Sequence, residues 1–267
     1  MKFSDRVAIR DYYDEVGDLG RYRLSRDLPG RISFEVHRRF LVDLVRPGQR
    51  VLEVGAGPGQ FTTVLAELGA RTLVTDFSPV QLELNRTHVG CTSAEDAVER
   101  RELLDVCDTS RYRDGEFDVV VAYGGPLFYA FEQTEDALRG LRRITGTDGV
   151  VVASVMSMLG SWRHLLCDIT TVAAEIGEDA NDAVLRTGDM HPTGTIPGPR
   201  GRRVLRAERA RRRHPHPVRR PIARCDPMLF RRAWHASCGL DNSLDGGPTL
   251  AAKLVTASTA HDRPSRR

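Results

Sequence analysis

The stretch EVGAGPGQ at residues 53–60 sets the architecture, because three glycines in it join a strand-like run to a helix-like run. The run before it, RVLEVG at 50–55, is short and rich in β-branched residues. The run after it, QFTTVLAELG at 60–69, has apolar residues at helical spacing before a glycine stop. Glycines let a backbone turn tightly and approach a ligand closely. The stretch therefore predicts a ligand-binding turn between a strand and a helix.

The alternation of strand and helix continues along the chain. Ser78 supplies a helix N-cap and Pro79 suits the first helical position, and EDALRGLRRIT at 135–145 is typical of an amphipathic helix. Further strands are predicted at TLVTD (72–76), ELLDV (102–106), DVVVAY (118–123) and VVVASV (150–155). Apolar strands separated by helices indicate a parallel sheet covered on both faces. Such doubly wound α/β folds bind ligands at the carboxyl ends of their strands.

The glycine spacing distinguishes two classes of cofactor. A dinucleotide fingerprint, GxGxxG, would place its last glycine at position 60, where this chain has Gln60. The chain instead has GxGxG, with the acid Glu53 two residues before Gly55.

That pattern resembles the first motif, E/D-x-G-x-G-x-G, of the class I S-adenosylmethionine-dependent methyltransferases, and the resemblance spans roughly residues 9–160. It implies a Rossmann-like, mostly parallel sheet with N-terminal helices and a helical lid after the fifth strand. It also implies S-adenosyl-L-methionine as cofactor and methyl transfer as activity. RRITGTDGVVVAS at 142–154 is similar to another family segment, although Thr147-Asp148 stands where Pro-Gly is usual.

The resemblance also implies positions for cofactor contacts. Asp76, at the end of the second strand, would accept hydrogen bonds from the two ribose hydroxyls, which suits a carboxylate. Phe77 would lie against the adenine, and Cys107-Asp108 would receive its exocyclic amine. Backbone near Ala122 and Tyr123 would close over the methionine part. The complete predicted set is Tyr13 (in the segment DYYD), Glu53, Gly55, Ala56, Gly57, Gly59, Asp76, Phe77, Cys107, Asp108, Ala122 and Tyr123.

The acceptor is less closely defined, and we expect methyl transfer to O, N or C of a small organic molecule, in specialised metabolism. The fourth strand ends in AYGGPL at 122–127, unlike the N/D-P-P-Y/F of enzymes that methylate base amines. Residues 1–199 hold 22 basic against 31 acidic residues, which also disfavours nucleic acid. Two alternatives remain: an RNA methyltransferase that uses an arginine-rich segment, and a cofactor-binding pseudoenzyme with a defective acceptor site.

The candidate general base is His191, in a Gly- and Pro-flanked loop, with His164 and His37 as weaker candidates; a packed or surface role is the alternative for each. A stripe including Trp162 and Leu166 predicts either ordinary packing or part of an apolar acceptor pocket. No Asp, Glu or His group has convincing metal-ligand spacing, so no metal is expected.

Residues 200–224 carry 11 basic residues against one acidic residue. They predict a basic patch that binds nucleic acid or an anionic surface, a solvated tail, or a stretch read out of frame. The last interpretation rests on the use of 37 Arg and only 2 Lys, which indicates G+C-rich, actinobacterial-like DNA.

The composition of the chain is that of an ordinary globular protein. The chain of 267 residues is 40% hydrophobic and 28% charged, which excludes a disordered chain or a small disulfide scaffold. Its five cysteines are odd in number and include no CxxC pair, so reduced thiols are expected. Without a signal-like or membrane-spanning run, we expect a cytoplasmic protein, monomeric or homodimeric, with no membrane partner. Five segments are predicted: an N-terminal helical cap (1–49), the cofactor-binding core (50–156), a substrate lid (157–199), the arginine-rich segment (200–224) and a C-terminal helix, last strand and tail (225–267).

Overall fold

The computed structural model describes residues 3–155 and three short strands at 189–190, 202–203 and 253–256, with side chains described over 6–155. Within these residues the α-helices are α1 (Phe3–Val16), α2 (Leu19–Tyr22), α3 (Leu28–Leu44), α4 (Gln60–Glu67), α5 (Pro79–Gly90) and α6 (Thr134–Ile144). The strands are β1 (Arg50–Val54), β2 (Arg71–Asp76), β3 (Val98–Leu103), β4 (Phe117–Ala122), β5 (Thr145–Val155), β6 (Asp189–Met190), β7 (Arg202–Arg203) and β8 (Lys253–Thr256).

Six of these strands form one sheet in the order β3-β2-β1-β4-β5-β8, and every neighbouring pair in it is parallel. The order reverses between β1 and β4, and β1 pairs with β2 through Arg50–Val54 and with β4 through Val51–Val54. A crevice beyond the carboxyl ends of the strands is expected at such a reversal. The predicted doubly wound, Rossmann-like fold is therefore confirmed, while the predicted lid at 157–199 lies almost entirely outside the described residues. Asp189–Met190 and Arg202–Arg203 form a separate antiparallel pair.

The sheet has a hydrophobic layer on each face because residues of its central strands alternate between them. In β4, Val119 and Val121 pack in one cluster with Leu41 of α3 and Leu65 of α4. Val120 packs in the other cluster with residues of α6 that include Leu138, Leu141 and Ile144. Side chains that alternate along a strand fill both layers only when both are covered by helices.

Two helix starts follow from local sequence. The Oγ atom of Ser78 accepts a hydrogen bond from the Gln81 amide at 3.0 Å, and Pro79 is the first residue of α5, as predicted. Asp27 caps α3 in the same way, accepting from the Gly30 amide at 2.7 Å. These caps fix the residues at which α3 and α5 begin, beside the crevice.

The predicted third strand was placed too late in the chain. The prediction gave 102–106, whereas β3 is Val98–Leu103. Its pattern of exposure is that of an edge strand with polar side chains, so the apolar run after it drew the prediction forward. Leu104 and Val106 are buried beyond the strand end and line the crevice instead.

Candidate cofactor-binding site

The turn between β1 and α4 lies at the floor of a cavity at the carboxyl ends of β1, β2 and β4, where Gly55, Ala56 and Gly57 line it. Gly55 has a φ of +70°, and a Cβ atom there would lie 2.5 Å from Cγ of Pro126. Gly59 has a φ of +98°, and a Cβ atom there would lie 2.5 Å from Cγ2 of Val89. Both positions therefore need glycine for backbone conformation and close packing. Gly59 itself does not line the cavity among the described residues.

Glu53 lies beneath this turn rather than in the cavity wall. Its side chain accepts a hydrogen bond from Oγ1 of Thr62 at 2.6 Å, and Thr62 in turn accepts one from Nδ2 of Asn85 at 2.9 Å. Arg101 extends the chain by donating to Oδ1 of Asn85 at 2.8 Å. Burial raises the pKa of Glu53 to about 8. In the structure, Glu53 supports the glycine turn from below, so the prediction of a direct cofactor contact gains no geometric support.

Asp76 ends β2 with its carboxylate at the cavity. One carboxylate oxygen accepts from the Gly57 amide and the other from the Ser78 amide, both at 2.9 Å. Burial raises its pKa, and these backbone hydrogen bonds act in the opposite direction. A carboxylate oxygen can accept more than one hydrogen bond, so both oxygens can still receive donors from a ligand. Phe77 lines the cavity beside it.

The acid after β3 that lines the cavity is Asp105, whereas the predicted Cys107 and Asp108 do not line it. Asp105 lines the cavity and accepts from the Cys107 amide at 2.9 Å. Asp108 is exposed, and its carboxylate accepts from the Ser110 hydroxyl at 2.6 Å. Cys107 is partly buried, and burial raises its pKa to about 12. Strand β3 ends at Leu103 and the chain turns at residues 106–107, between the two acids, so that Asp105 lines the cavity and Asp108 does not.

Helix α1 covers one side of the cavity and is held there by polar contacts with residues that follow β2, β3 and β4. Tyr13 lines the cavity, and its hydroxyl forms a 2.9 Å hydrogen bond with that of Tyr129. Arg6 donates to Asp105 at 2.5 Å. Gln81 donates from Nε2 to the Tyr13 carbonyl at 2.8 Å, and the Ser78 hydroxyl donates to Asp14. These contacts hold Tyr13 against the cavity, and its role as a cofactor contact stays a prediction.

The end of β4 supplies the opposite wall. Ala122 is fully buried within the strand, and Tyr123 lines the cavity directly after it. The Tyr123 ring packs edge-on against Phe61 at 5.0 Å and against His37 at 4.6 Å between centroids. Burial raises the pKa of the Tyr123 phenol. This tyrosine is therefore a neutral, fixed element of the wall.

The weaker base candidate His37 is a core residue of α3. Its Nδ1 donates to the Ser33 carbonyl at 2.7 Å, and burial lowers its pKa to about 4. It does not line the described cavity. His164 and His191, like the Trp162 stripe, lie outside the described residues.

Sequence reasoning missed several polar cavity residues, among them Arg6, Arg23 and Tyr129. Nothing local in the sequence distinguishes two arginines from the other 35, and their places depend on contacts with residues far along the chain. Among the described residues, no group of three or more His, Cys, Asp or Glu side chains could hold a metal ion. In the same part of the chain, no helix has the length and apolar content to cross a bilayer.

Comparison with known proteins gives one family match: residues 52–153 match the methyltransferase domain family. An uncharacterized protein of Mycobacterium tuberculosis is 26% identical over 153 residues, which cover 57% of this chain and 53% of that protein. A ribosomal protein L11 methyltransferase of Symbiobacterium thermophilum is 35% identical over 85 residues, covering 32% and 26%. A solved methyltransferase structure from Streptomyces caelestis is 25% identical, with a TM-score of 0.44 and 57% of each chain covered.

The chain spans about half the length of the mycobacterial relatives it matches, at 53%. The family match covers the glycine turn, Asp76, Asp105 and the end of β4. Over residues 52–153 the chain therefore resembles a methyltransferase domain.

Proposed function

We propose that this protein transfers a methyl group from S-adenosylmethionine to O, N or C of a small organic molecule. The observation that carries the proposal is the cavity at the strand-order reversal, where Gly57, Asp76, Asp105 and Tyr123 converge from four different strand ends. Those strand ends are the expected ligand site of a doubly wound sheet.

The residues present fit the cofactor. Asp76 keeps acceptor capacity for the ribose hydroxyls, and Asp105 for the adenine amine. Phe77, Leu104 and Val106 supply apolar surface for the adenine ring. When bound, the cofactor supplies an electrophilic methyl group on a sulfonium.

The described residues contribute positioning and exclusion of water to this chemistry. The ring of Tyr13 and the hydroxyl pair that it forms with Tyr129 cover the cavity, and Tyr123 is fixed in its wall. Orientation in a dry site accounts for much of the rate of an in-line displacement. A general base is needed only where the acceptor must lose a proton, and no histidine lines the cavity within the described residues. His191 remains the proposed base.

A small organic acceptor is favoured over nucleic acid by the charge of the chain. Residues 1–199 carry a formal net charge of −9, from 22 basic and 31 acidic residues. Much of the described cavity wall away from Asp76 and Asp105 is aromatic or aliphatic, with Tyr12, Leu24 and Phe61 among its members. Such a wall suits an apolar or aromatic acceptor.

Calorimetric titration with S-adenosylmethionine, S-adenosylhomocysteine and NAD tests the donor. We expect micromolar affinity for the first two and no binding of NAD; the reverse preference would refute the proposal. Transfer is then measured as S-adenosylhomocysteine formation against a panel of phenols, amines and carbon acids. Tight cofactor binding without transfer to any acceptor would identify a pseudoenzyme. RNA binding whose log affinity falls steeply with log salt would instead identify the RNA methyltransferase.

A further inference from the structure

A continuous chain of polar side chains runs behind the glycine turn. It begins at the surface with Glu95, whose side chain is 40% exposed, and passes through Arg101, Asn85 and Thr62 to Glu53. The last three are buried, and the Arg101 side chain is only 4% exposed. None of these side chains lines the described cavity. Polar groups at this depth cost free energy unless each of them is satisfied.

Arg101 is fixed at both ends of its guanidinium. Its Nη1 and Nη2 atoms donate to the two carboxylate oxygens of Glu95 at 2.8 and 2.5 Å, which makes a two-pronged ion pair. The pair holds the pKa of Glu95 below its usual value. The remaining donor, Nε, points inward and donates to Oδ1 of Asn85 at 2.8 Å.

Arg101 determines which way the Asn85 amide points. A guanidinium has only donors, so the Asn85 oxygen faces it and the Asn85 nitrogen faces the other way. There Nδ2 donates to Oγ1 of Thr62 at 2.9 Å and to the Gly57 carbonyl at 3.4 Å. Thr62 donates its own proton to Glu53. Every donor therefore runs from the cation toward the buried carboxylate.

Gly57 is the point at which this chain meets the cavity. Its carbonyl accepts from Asn85, and its amide donates to Asp76 at 2.9 Å. Its φ is +55°, a conformation that glycine adopts freely and that no side chain of its own stabilises. Asn85 also lies under Gly59, where a Cβ atom would be 3.1 Å from Nδ2. A change in the direction of the Asn85 amide therefore alters the support of the residue that holds Asp76.

Stability alone gives little reason for a buried cation at this place. Replacing a buried ion pair by apolar residues of similar volume is often neutral or stabilising. Strand β3 is also an edge strand, and the neighbouring Arg100 shows the exposed alternative: its side chain is 50% exposed and pairs with Glu102. What the buried arginine supplies is a fixed direction for the dipoles beneath the turn.

We infer that Arg101 and Asn85 are positioning residues for the cofactor, which act through Gly57 on the carboxylate of Asp76. The inference rests on the proposed function and adds two residues outside the cavity to the cofactor site. Arg101 orients the Asn85 amide, Asn85 holds the Gly57 carbonyl, and Gly57 holds Asp76. Cofactor affinity then depends on an arginine that does not contact the cofactor.

Arg101→Met tests the first link, because it removes the guanidinium and keeps much of the side-chain volume. We expect S-adenosylhomocysteine to bind about tenfold more weakly by calorimetry, since the Asn85 amide is then free to turn its oxygen toward the Gly57 carbonyl. Arg101→Lys still has a donor for Asn85 and is expected to recover most of the affinity. The matched control is Arg100→Met, the next residue on β3, which should leave the affinity within about twofold because that side chain is exposed.

Asn85→Asp tests the second link. The change keeps the size of the side chain and its contact with Arg101, whose charge keeps the new carboxylate ionised. It also replaces the donor to Gly57 by an acceptor, so S-adenosylhomocysteine should bind at least about tenfold more weakly. In an Asp76→Ala background the same change should cost less than about threefold, because the route through Asp76 is already removed. All titrations are made below the melting temperature of the least stable variant, measured by circular dichroism.

Wild-type affinity in folded Arg101→Met and Asn85→Asp would overturn the inference and leave the proposed function intact. Equal losses with and without Asp76 would indicate a general loss of structure and would overturn it as well. If Arg101→Met does not fold, Arg101→Lys and the two Asn85→Asp titrations supply the result. A wild type that binds neither S-adenosylmethionine nor S-adenosylhomocysteine would overturn the proposed function together with the inference.

Discussion

Asp76 is the single side chain on which cofactor affinity should depend most. Asp76→Ala removes two charge-assisted acceptors from the cavity, each worth on the order of 1.5–3 kcal/mol. We expect S-adenosylhomocysteine to bind at least tenfold more weakly by calorimetry. Asp108→Ala is the matched control, since that carboxylate is exposed and accepts from Ser110. Unchanged affinity in a folded Asp76→Ala protein would show that the ligand lies elsewhere.

The two acids after β3 make a second, paired comparison. Asp105→Asn should weaken S-adenosylhomocysteine binding roughly tenfold, because it removes a charged acceptor from the cavity. The same change at Asp108 should leave binding within twofold. If Asp108→Asn instead caused the loss, the placement of the chain after Leu103 would be wrong.

Glu53 should make stability depend on pH. Burial raises its pKa to about 8 in the folded protein, above its usual value of 4.5, so the folded state binds more protons between these values. Its contribution is therefore fully present below about pH 4.5 and is lost as pH rises toward 8. Urea unfolding of Glu53→Gln should show a stability advantage over the wild type that grows with pH by up to roughly 1.4 kcal/mol per unit. The advantage should be absent near pH 4.5.

Glu67→Gln, which removes an exposed carboxylate, is the matched control. His37 titrates in the opposite sense, because burial lowers its pKa to about 4 and stability is lost as pH falls from 6.5 toward that value. His37 is present in both the wild type and Glu53→Gln, so its contribution to stability cancels in the comparison. A pH-independent difference for Glu53→Gln would refute the raised pKa.

The site was predictable from sequence where its residues are neighbours in the chain. The glycine turn and Asp76 follow directly from buried strands, so local pattern was sufficient to place them at the crevice. Asp105 and Asp108 lie three positions apart in an irregular stretch, and pattern alone selected Asp108, whereas Asp105 is the acid that lines the cavity. Arg6 reaches Asp105 across 99 residues, a contact that only the folded chain creates.

Among the secondary-structure elements, α5 depends on its cap. Ser78→Ala removes the acceptor for the Gln81 amide and the donor to Asp14 of α1. We expect a loss of about 1 kcal/mol in the free energy of unfolding, measured in urea. Thr87→Ala, on the exposed side of the same helix, should change it by less than about 0.5 kcal/mol. Equal effects of the two changes would contradict a capping role for Ser78.

Element types were predicted better than element limits. The buried strands β1, β2 and β4 have apolar, β-branched runs bounded by turn residues. Each observed strand end lies within one residue of the predicted end. Strand β3 is mostly polar and lies at the sheet edge, so its sequence VERREL carries little strand signal. Edge position is a property of the whole sheet and cannot be read from six residues.

At the scale of the whole molecule, β8 is an edge strand of the described sheet and covers the backbone groups of β5. Lys253–Thr256 pairs in parallel with Val152–Val155 of β5. Deleting residues 250–267 should expose a row of unpaired backbone groups, lower the melting temperature and promote self-association, measured by light scattering. Deleting only 258–267 keeps β8 and should leave both properties unchanged. Identical behaviour of the two truncations would show that β8 does not stabilise the sheet.

The distance in sequence between β5 and β8 also bears on synthesis. A ribosome completes β5 at residue 155 and must add about a hundred further residues before Lys253–Thr256 emerges. At roughly 5–20 residues per second, β5 of the nascent chain stays without its β8 partner for about 5 to 20 seconds. During that interval β5 can pair with a neighbouring nascent chain, so chaperone supply during expression should affect the yield of folded protein.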